Sequence, residues 1–447
     1  MGVVSDVPGA LFVDQYELTM LQAYWHEEMT GEAVFSLYYR SLPEGWNYAL
    51  ACGLETVLEI LEDFHFTDEE CAWLAGREEF SGRFVKYLRQ LRFTGQVRAV
   101  PEGTPVFPDE PILEVRAPIG EAQVVETVIM NQIHLQTVLA SRAERIVRSA
   151  GDATVVDFGM RRMHGIDAAL KGARAFHIAG VQATSNVRAG RELGIPVTGT
   201  MAHSYIQAHD HEMEAFRAFA RLYPDTVLLV DTYDTLEGVR KVIDLAGDMG
   251  EDFRVSGIRL DSGDLGELAI RSRALLDEAG LDAVRIIASG GLDEFRIREL
   301  RRRDAPIDGY GVGTRMGVSV DAPVLDIAYK LTEYGGEGRL KLSSGKRILP
   351  GAKQVFRVEE NGRDVRDRIA GIDEDHPGRP LLEPVMQSGR RLPAARSSLD
   401  DIRSYARSQV DRLPDRLHGL EGAESPYPVE VSDALRKRQE RAAERAE

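Results

Sequence analysis

The chain of 447 residues is 43% apolar and 28% charged, enough to fold and too long for one domain of ordinary size, so a wholly disordered chain is excluded and at least two domains are expected. With 72 acidic against 55 basic residues the net charge is −17, which disfavours nucleic acid or an anionic membrane as a partner. Any anionic ligand therefore needs a local cluster of donors working against the global field.

The start, Met1–Asp6, has neither a basic nor a long apolar leader segment, and no run stays apolar for the roughly 20 residues a membrane helix requires. Cytoplasm is the expected location, and it suits Cys52 and Cys71, the only cysteines, which make neither a disulfide framework nor a zinc site. Leu18, Leu21 and Tyr24 recur at helical spacing and predict a helix over Tyr16–Trp25. Val34–Tyr39 and Gln96–Val100 read as strands, the second running into the turn-rich Pro101–Pro105. A helical pattern from Glu121 to Ser149 follows, and an α+β domain is assigned to residues 1–138.

From residue 152 to 316 short apolar runs alternate with amphipathic helices. The predicted strands are Thr154–Phe158, Ala175–Ala179, Val197–Thr200, Thr226–Val230, Gly257–Leu260, Val284–Ala288 and Gly309–Val312. The predicted helices include Glu212–Leu222, Leu236–Gly247, Leu265–Ala279 and Leu292–Arg303. This alternation implies a parallel sheet buried by helices, and seven strands with short connections favour an irregular α/β barrel over residues 139–340. The segment 341–447 gains charge from Ser398 onward and ends in a mixed acidic and basic run that reads as solvated helix.

Nearly every predicted strand ends in a cluster of Gly, Ser, Thr, Asp, Arg or His, and in parallel α/β proteins ligands bind at that end. One such cluster is an ordinary strand-to-helix turn; seven at one rim make an active site. Ser289-Gly290-Gly291 and Gly311-Val312-Gly313-Thr314 close the last two strands, where backbone N–H groups can hold a phosphate. Neither a dinucleotide fingerprint nor a Walker loop is present. Arg259 and Asp261 alternate on one strand and point the same way; Asp261 and Asp264 can accept from a sugar diol or share a divalent cation with a pyrophosphate. Phe158 offers a stacking face to a flat anionic ring whose charge Arg161 would meet. His203, ringed by small hydroxylated residues, is placed to meet a phosphoryl group, while His209 and His211 read as solvent-facing residues of the next helix.

Six ordered motifs, Leu11–Met20, Asp157–Arg162, Gly180–Asn186, Gly199–Ser204, Arg259–Asp264 and Gly311–Thr314, with a tail from Lys341 through Ser343 and Lys346 to Arg357, resemble nicotinate phosphoribosyltransferase, a type II phosphoribosyltransferase, over almost the whole chain. The resemblance implies synthesis of nicotinate mononucleotide and pyrophosphate from nicotinate and 5-phosphoribosyl 1-pyrophosphate, with coupled ATP hydrolysis and magnesium. It implies that His203 becomes a transient phosphohistidine and that the enzyme is a homodimer with its active site at the interface. Tyr16 of the partner subunit and Phe158 would sandwich the pyridine ring. Arg161, Thr200 and Arg259 would contact nicotinate or the ribose pyrophosphate, and Asp261 the ribose hydroxyls. Gly290, Gly291, Gly313 and Thr314 would hold the 5-phosphate, and no residue is assigned as a resident metal ligand. The implied fold joins an irregular α/β barrel to an α+β domain formed by the N-terminal part and the C-terminal segment 341–447. The alternatives are a nicotinamide phosphoribosyltransferase and an inactive ligand-binding protein on the same scaffold. Against the first stands the neutral Ser185, where the nicotinamide enzyme carries an aspartate that would repel a carboxylate.

Overall fold

The computed structural model describes residues 9–342 and 348–446, so Met1–Asp6 and the tail-motif residues Ser343 and Lys346 lie outside the described residues. The chain forms two compact units, Arg142–Asp321, and Met1–Ser141 together with Ala322–Glu447.

In the first of these, six strands lie parallel: β1 (Thr154–Asp157), β2 (Ala183–Thr184), β3 (Val227–Leu229), β4 (Gly257–Leu260), β5 (Arg285–Ala288) and β6 (Gly309–Val312). Their spatial order is β2-β1-β6-β5-β4-β3, a sheet curled into a half-barrel, which gives the irregular α/β barrel its shape. Leu228, Ile258, Leu260, Ile286, Ala288 and Val312 are wholly buried, as expected of parallel strands covered on both faces. Helices Thr235–Met249, Leu265–Glu278 and Glu294–Arg302 start on the carboxylates of Asp234, Asp264 and Asp293, which accept from free first-turn N–H groups.

Two of the seven predicted strands are not strands. Ala175–Ile178 ends the helix Ile166–Ile178, in which every residue from Ala168 onward is buried. A helix without a polar face loses the 3.6-residue period, so its apolar run looks like a buried strand. Val197–Thr200 makes only one bridge, between Val197 and Thr184; the strand at this edge is the two-residue β2. His209 and His211 lie in the turn between helices His203–Gln207 and Glu212–Leu222, not on a helix as read above.

In the other unit, the strand Glu32–Tyr39 lies antiparallel between Pro111–Pro118 and Ile327–Tyr334. The sheet continues through Gln96–Ala99 to Glu383–Gln387, so the C-terminal segment supplies strands to the N-terminal sheet. Because Ile327–Tyr334 pairs along Glu32–Tyr39, the chain from Ala322 belongs to this unit, earlier than the boundary at 340 read from the sequence. The helix Gln15–His26 covers the predicted one, and the pattern from Glu121 to Ser149 resolves into Ile119–Val124 and the 25-residue Glu126–Ala150. No helix among the described residues is long and apolar enough to cross a membrane.

Candidate active site

The carboxyl ends of the parallel strands open into one cavity of about 520 Å³, within the range of small-molecule sites. Phe158, Arg161, Ser185 and Thr200 line it, and so do His203, Arg259 and Asp261. Gly290, Gly291, Gly313 and Thr314 complete the set, so eleven of the twelve residues assigned from the sequence converge here. The twelfth, Tyr16, lies in the other unit on the helix Gln15–His26, 47% exposed.

Strand ends deliver most of these side chains, and the segment after Val197 delivers Thr200 and His203. Phe158 follows β1, its N–H donating to Val312 O at 2.8 Å, and the short helical turn Met160–Arg162 presents Arg161. Ser185 follows β2, its N–H donating to Asp157 O at 2.9 Å. Thr198 N–H donates to Thr184 O, which guides the chain toward Thr200 and His203. His203 opens the helix His203–Gln207, with Nδ1 3.1 Å from the Thr232 hydroxyl and Nε2 4.0 Å from Asp261 Oδ2.

At the end of β4, Arg259 donates to Met201 O at 2.9 Å and its guanidinium lies 6.0 Å from the Phe158 ring centre. Burial pulls its pKa below the ordinary value; Asp261 and Asp231 oppose that shift and Arg161 adds to it. Its Nε is buried without a hydrogen-bond partner, a donor left for a ligand. Asp261 accepts from the Ser289 hydroxyl through Oδ1. Gly290 (φ +88°) and Gly291 (φ +64°) turn the chain after β5, and a Cβ on Gly290 would lie 1.9 Å from Asp261 O. Only glycine fits there, on both counts.

Charge sets the cavity apart from the rest of the chain. Among the described residues lining it, Arg161, Arg162, Arg259 and Arg315 face a single carboxylate, Asp261. This is the local cluster of donors that the net charge of −17 demanded of any anionic ligand.

Comparison with known proteins agrees with this geometry. The nicotinate phosphoribosyltransferase (NAPRTase) N-terminal domain matches residues 11–134, the NAPRTase family 153–360, and the C-terminal domain 375–439. Nicotinate phosphoribosyltransferase pncB2 of Mycobacterium tuberculosis is 55% identical over 427 residues, covering 96% of this chain and 92% of that one. This chain belongs to the nicotinate phosphoribosyltransferase family. The Bacillus subtilis nicotinate phosphoribosyltransferase is 38% identical over 457 residues, covering 95% of this chain and 93% of its own. The crystal structure of human nicotinic acid phosphoribosyltransferase superposes with a TM-score of 0.85 at 26% identity, covering 96% of this chain and 99% of that one.

In this nicotinate phosphoribosyltransferase family member, one pairing read from the sequence does not form. Asp264 does not join Asp261 at the cavity: it caps Leu265–Glu278 and pairs with Arg303 at 3.0 Å. Other residues had no role assigned in the sequence. Asp231 accepts Asp261 N–H at 3.0 Å and the Ser262 hydroxyl, fixing the end of β4. Arg315 lines the cavity beside the Gly313 turn and pairs with Asp293 at 3.0 Å. Asp231 was visible only as a polar residue after a strand, and Arg315 only as the neighbour of a glycine turn.

Proposed function

We propose that this chain joins nicotinate to 5-phosphoribosyl 1-pyrophosphate, giving nicotinate mononucleotide and pyrophosphate in pyridine nucleotide biosynthesis, with ATP hydrolysis coupled through a phosphohistidine at His203. The observation that carries the reading is the convergence of four guanidiniums, one carboxylate and two glycine turns on a single cavity. A ring carboxylate, a 5-phosphate and a pyrophosphate need that cationic excess, and a ribose diol needs the carboxylate.

Nicotinate stacks on Phe158 with its carboxylate toward Arg161 and the neutral Ser185. Thr200 and Arg259 contact nicotinate or the pyrophosphate, Asp261 accepts from the ribose hydroxyls, and Gly290, Gly291, Gly313 and Thr314 hold the 5-phosphate. As the bond from C1 to pyrophosphate breaks, positive charge grows on the ribose and negative charge on the leaving group. Arg259, in a buried setting, stabilises that leaving charge while the ring nitrogen attacks C1, and no protein nucleophile touches the sugar. The donor set also fits a magnesium ion that arrives with the substrate: one carboxylate, Asp261, with phosphate oxygens and water as the remaining ligands, and the ion would neutralise pyrophosphate charge.

For the ATP half-reaction, the His203 lone pair attacks the terminal phosphorus and the bond to ADP breaks. In this reading Nδ1–H of His203 donates to the Thr232 hydroxyl, so that Nε2 carries the lone pair and is the accepting nitrogen. The enzyme works in the cytoplasm as a homodimer in which Tyr16 of one subunit covers the ring in its partner's site.

The test is product formation by purified protein from nicotinate and 5-phosphoribosyl 1-pyrophosphate, with and without ATP. Nicotinate mononucleotide formed faster with ATP supports the reading; binding without turnover identifies a ligand-binding protein on this scaffold.

A further inference from the structure

Asp157 carries no role in the chemistry above, yet it joins the two strand ends that form the ring subsite. It is the last residue of β1 and 1% exposed. Its Oδ1 accepts the Gly159 N–H at 2.7 Å, and its Oδ2 accepts the Thr184 hydroxyl at 2.7 Å. Its backbone carbonyl accepts the Ser185 N–H. Each partner lies at or next to a site residue: Gly159 follows Phe158, and Thr184 precedes Ser185. The tie continues inward, because Thr184 Oγ1 also accepts the Asn186 N–H at 3.0 Å, and the Asn186 side chain accepts from Ala189 N–H and donates to Ala169 O. Thr184 and Asn186 are both buried.

A buried carboxylate is costly unless donors satisfy it, and an apolar side chain would fill the same space at lower cost. Burial lifts the Asp157 carboxyl above its ordinary range, against the pull of Gly159 and Thr184. What the carboxylate supplies, and an apolar side chain cannot, is a two-ended side-chain tie from the Gly159 turn to Thr184.

We infer that Asp157 is a positioning residue for the ring subsite: by fastening the end of β1 to the end of β2 it sets the spacing between the Phe158 ring and Ser185, and through Gly159 the start of the turn carrying Arg161. It thereby governs recognition of the aromatic acid and leaves the phosphate turns in place. Toward Gly313, β1 is held by its parallel ladder with Gly309–Val312 and by the bond from Phe158 N–H to Val312 O, backbone pairings that a change of side chain at 157 retains. The inference rests on the assignment of ring and phosphate subsites proposed above.

The experiment is steady-state kinetics on the full chain, varying nicotinate and 5-phosphoribosyl 1-pyrophosphate separately. Asp157→Ala should raise the KM for nicotinate about tenfold or more, the scale of one lost hydrogen bond to a charged group, and change the KM for the ribosyl donor by less than about twofold. Asp157→Asn should recover most of the loss, since its amide oxygen can accept from Gly159 and its NH2 can donate to the Thr184 hydroxyl. Thr184→Val, which cuts one end of the tie, should give the same split to a smaller degree and serves if Asp157→Ala does not fold. Equal change in both KM values, no change, or an Asp157→Asn variant as impaired as Asp157→Ala overturns the inference. A wild-type protein that forms no nucleotide overturns the functional reading and this inference with it; active wild type without a split in the variants overturns this inference alone.

Discussion

The Nε2 atom of His203 lies 4.0 Å from Oδ2 of Asp261, side chains brought together from the helix His203–Gln207 and the end of β4. A phosphoryl group on that nitrogen would set negative charge against the Asp261 carboxylate, a repulsion that water screens in part because both side chains are more than a third exposed. In the proposed reaction that repulsion would be relieved once the ribosyl donor, with its cation, occupied Asp261. Under the proposed phosphohistidine mechanism, phosphorylation of His203 and binding of the donor would favour each other, and ATP would thereby pull the reaction toward product. His203→Ala should take up no phosphate from terminally labelled ATP and lose ATP stimulation while keeping a basal rate of transfer; labelling and initial rates with and without ATP check both.

Ser185 lines the cavity between the Phe158 side and the Thr200 segment with no charge of its own. Ser185→Asp should place a carboxylate against that of nicotinate and offer an acceptor to the amide of nicotinamide. The ratio of kcat/KM for nicotinate over nicotinamide should fall by about tenfold or more, corresponding to about 1.4 kcal/mol of changed discrimination. Competition between the two substrates at equal concentration reads the ratio directly.

Tyr16 is half exposed, and its hydroxyl is held in the neutral form by burial and by the nearby Glu126, Glu17 and Asp14. Tyr16→Ala should raise the KM for nicotinate more than the KM for the ribosyl donor. It removes a stacking face worth about 0.5–1.5 kcal/mol beyond its area. Mixing Tyr16→Ala with His203→Ala subunits should restore ATP-stimulated turnover in part, because one site in the mixed dimer would have both residues intact.

Glu17 is fully buried and accepts from Thr127 N–H and the Thr127 hydroxyl. Burial, with Glu126 and Asp14 adding to it, raises its pKa from 4.5 to about 8 against the pull of Thr127. The folded state therefore holds a proton that the unfolded state has released across the interval from 4.5 to 8. This contribution to stability is complete below the lower value and is lost as pH rises through the upper one. Glu17→Gln should flatten that part of the profile. Thermal melts at about pH 5 and about pH 8.5 should show a smaller loss of Tm in the variant than in the wild type.

Most of the barrel was legible because strand ends and helix caps announce themselves locally: Thr154–Asp157, Gly257–Leu260 and Gly309–Val312 lie within the apolar runs that predicted them. The helix Ile166–Ile178 was not, since burial on all sides erases the polar face that marks a helix. Arg259 and Asp261 were readable as a pair from strand alternation, whereas Asp264 was misread because one residue past a turn is enough to send a side chain to a helix cap. Gly290 was readable as part of a phosphate turn, but its closeness to Asp261 O depends on β4 and β5 lying side by side, which no local pattern contains. Asp157 and Asp231 act through other residues, so their chemistry appears only once their partners are in space.

Transfer of a phosphoribosyl group to nicotinate is read out most directly by one assay. Purified protein is incubated with 5-phosphoribosyl 1-pyrophosphate and magnesium, with nicotinate and nicotinamide in parallel, each with and without ATP, and the mononucleotides are quantified. Nicotinate mononucleotide should be the dominant product, with a yield raised by ATP. Nicotinamide mononucleotide in excess, or no mononucleotide under any of the four conditions, would contradict it.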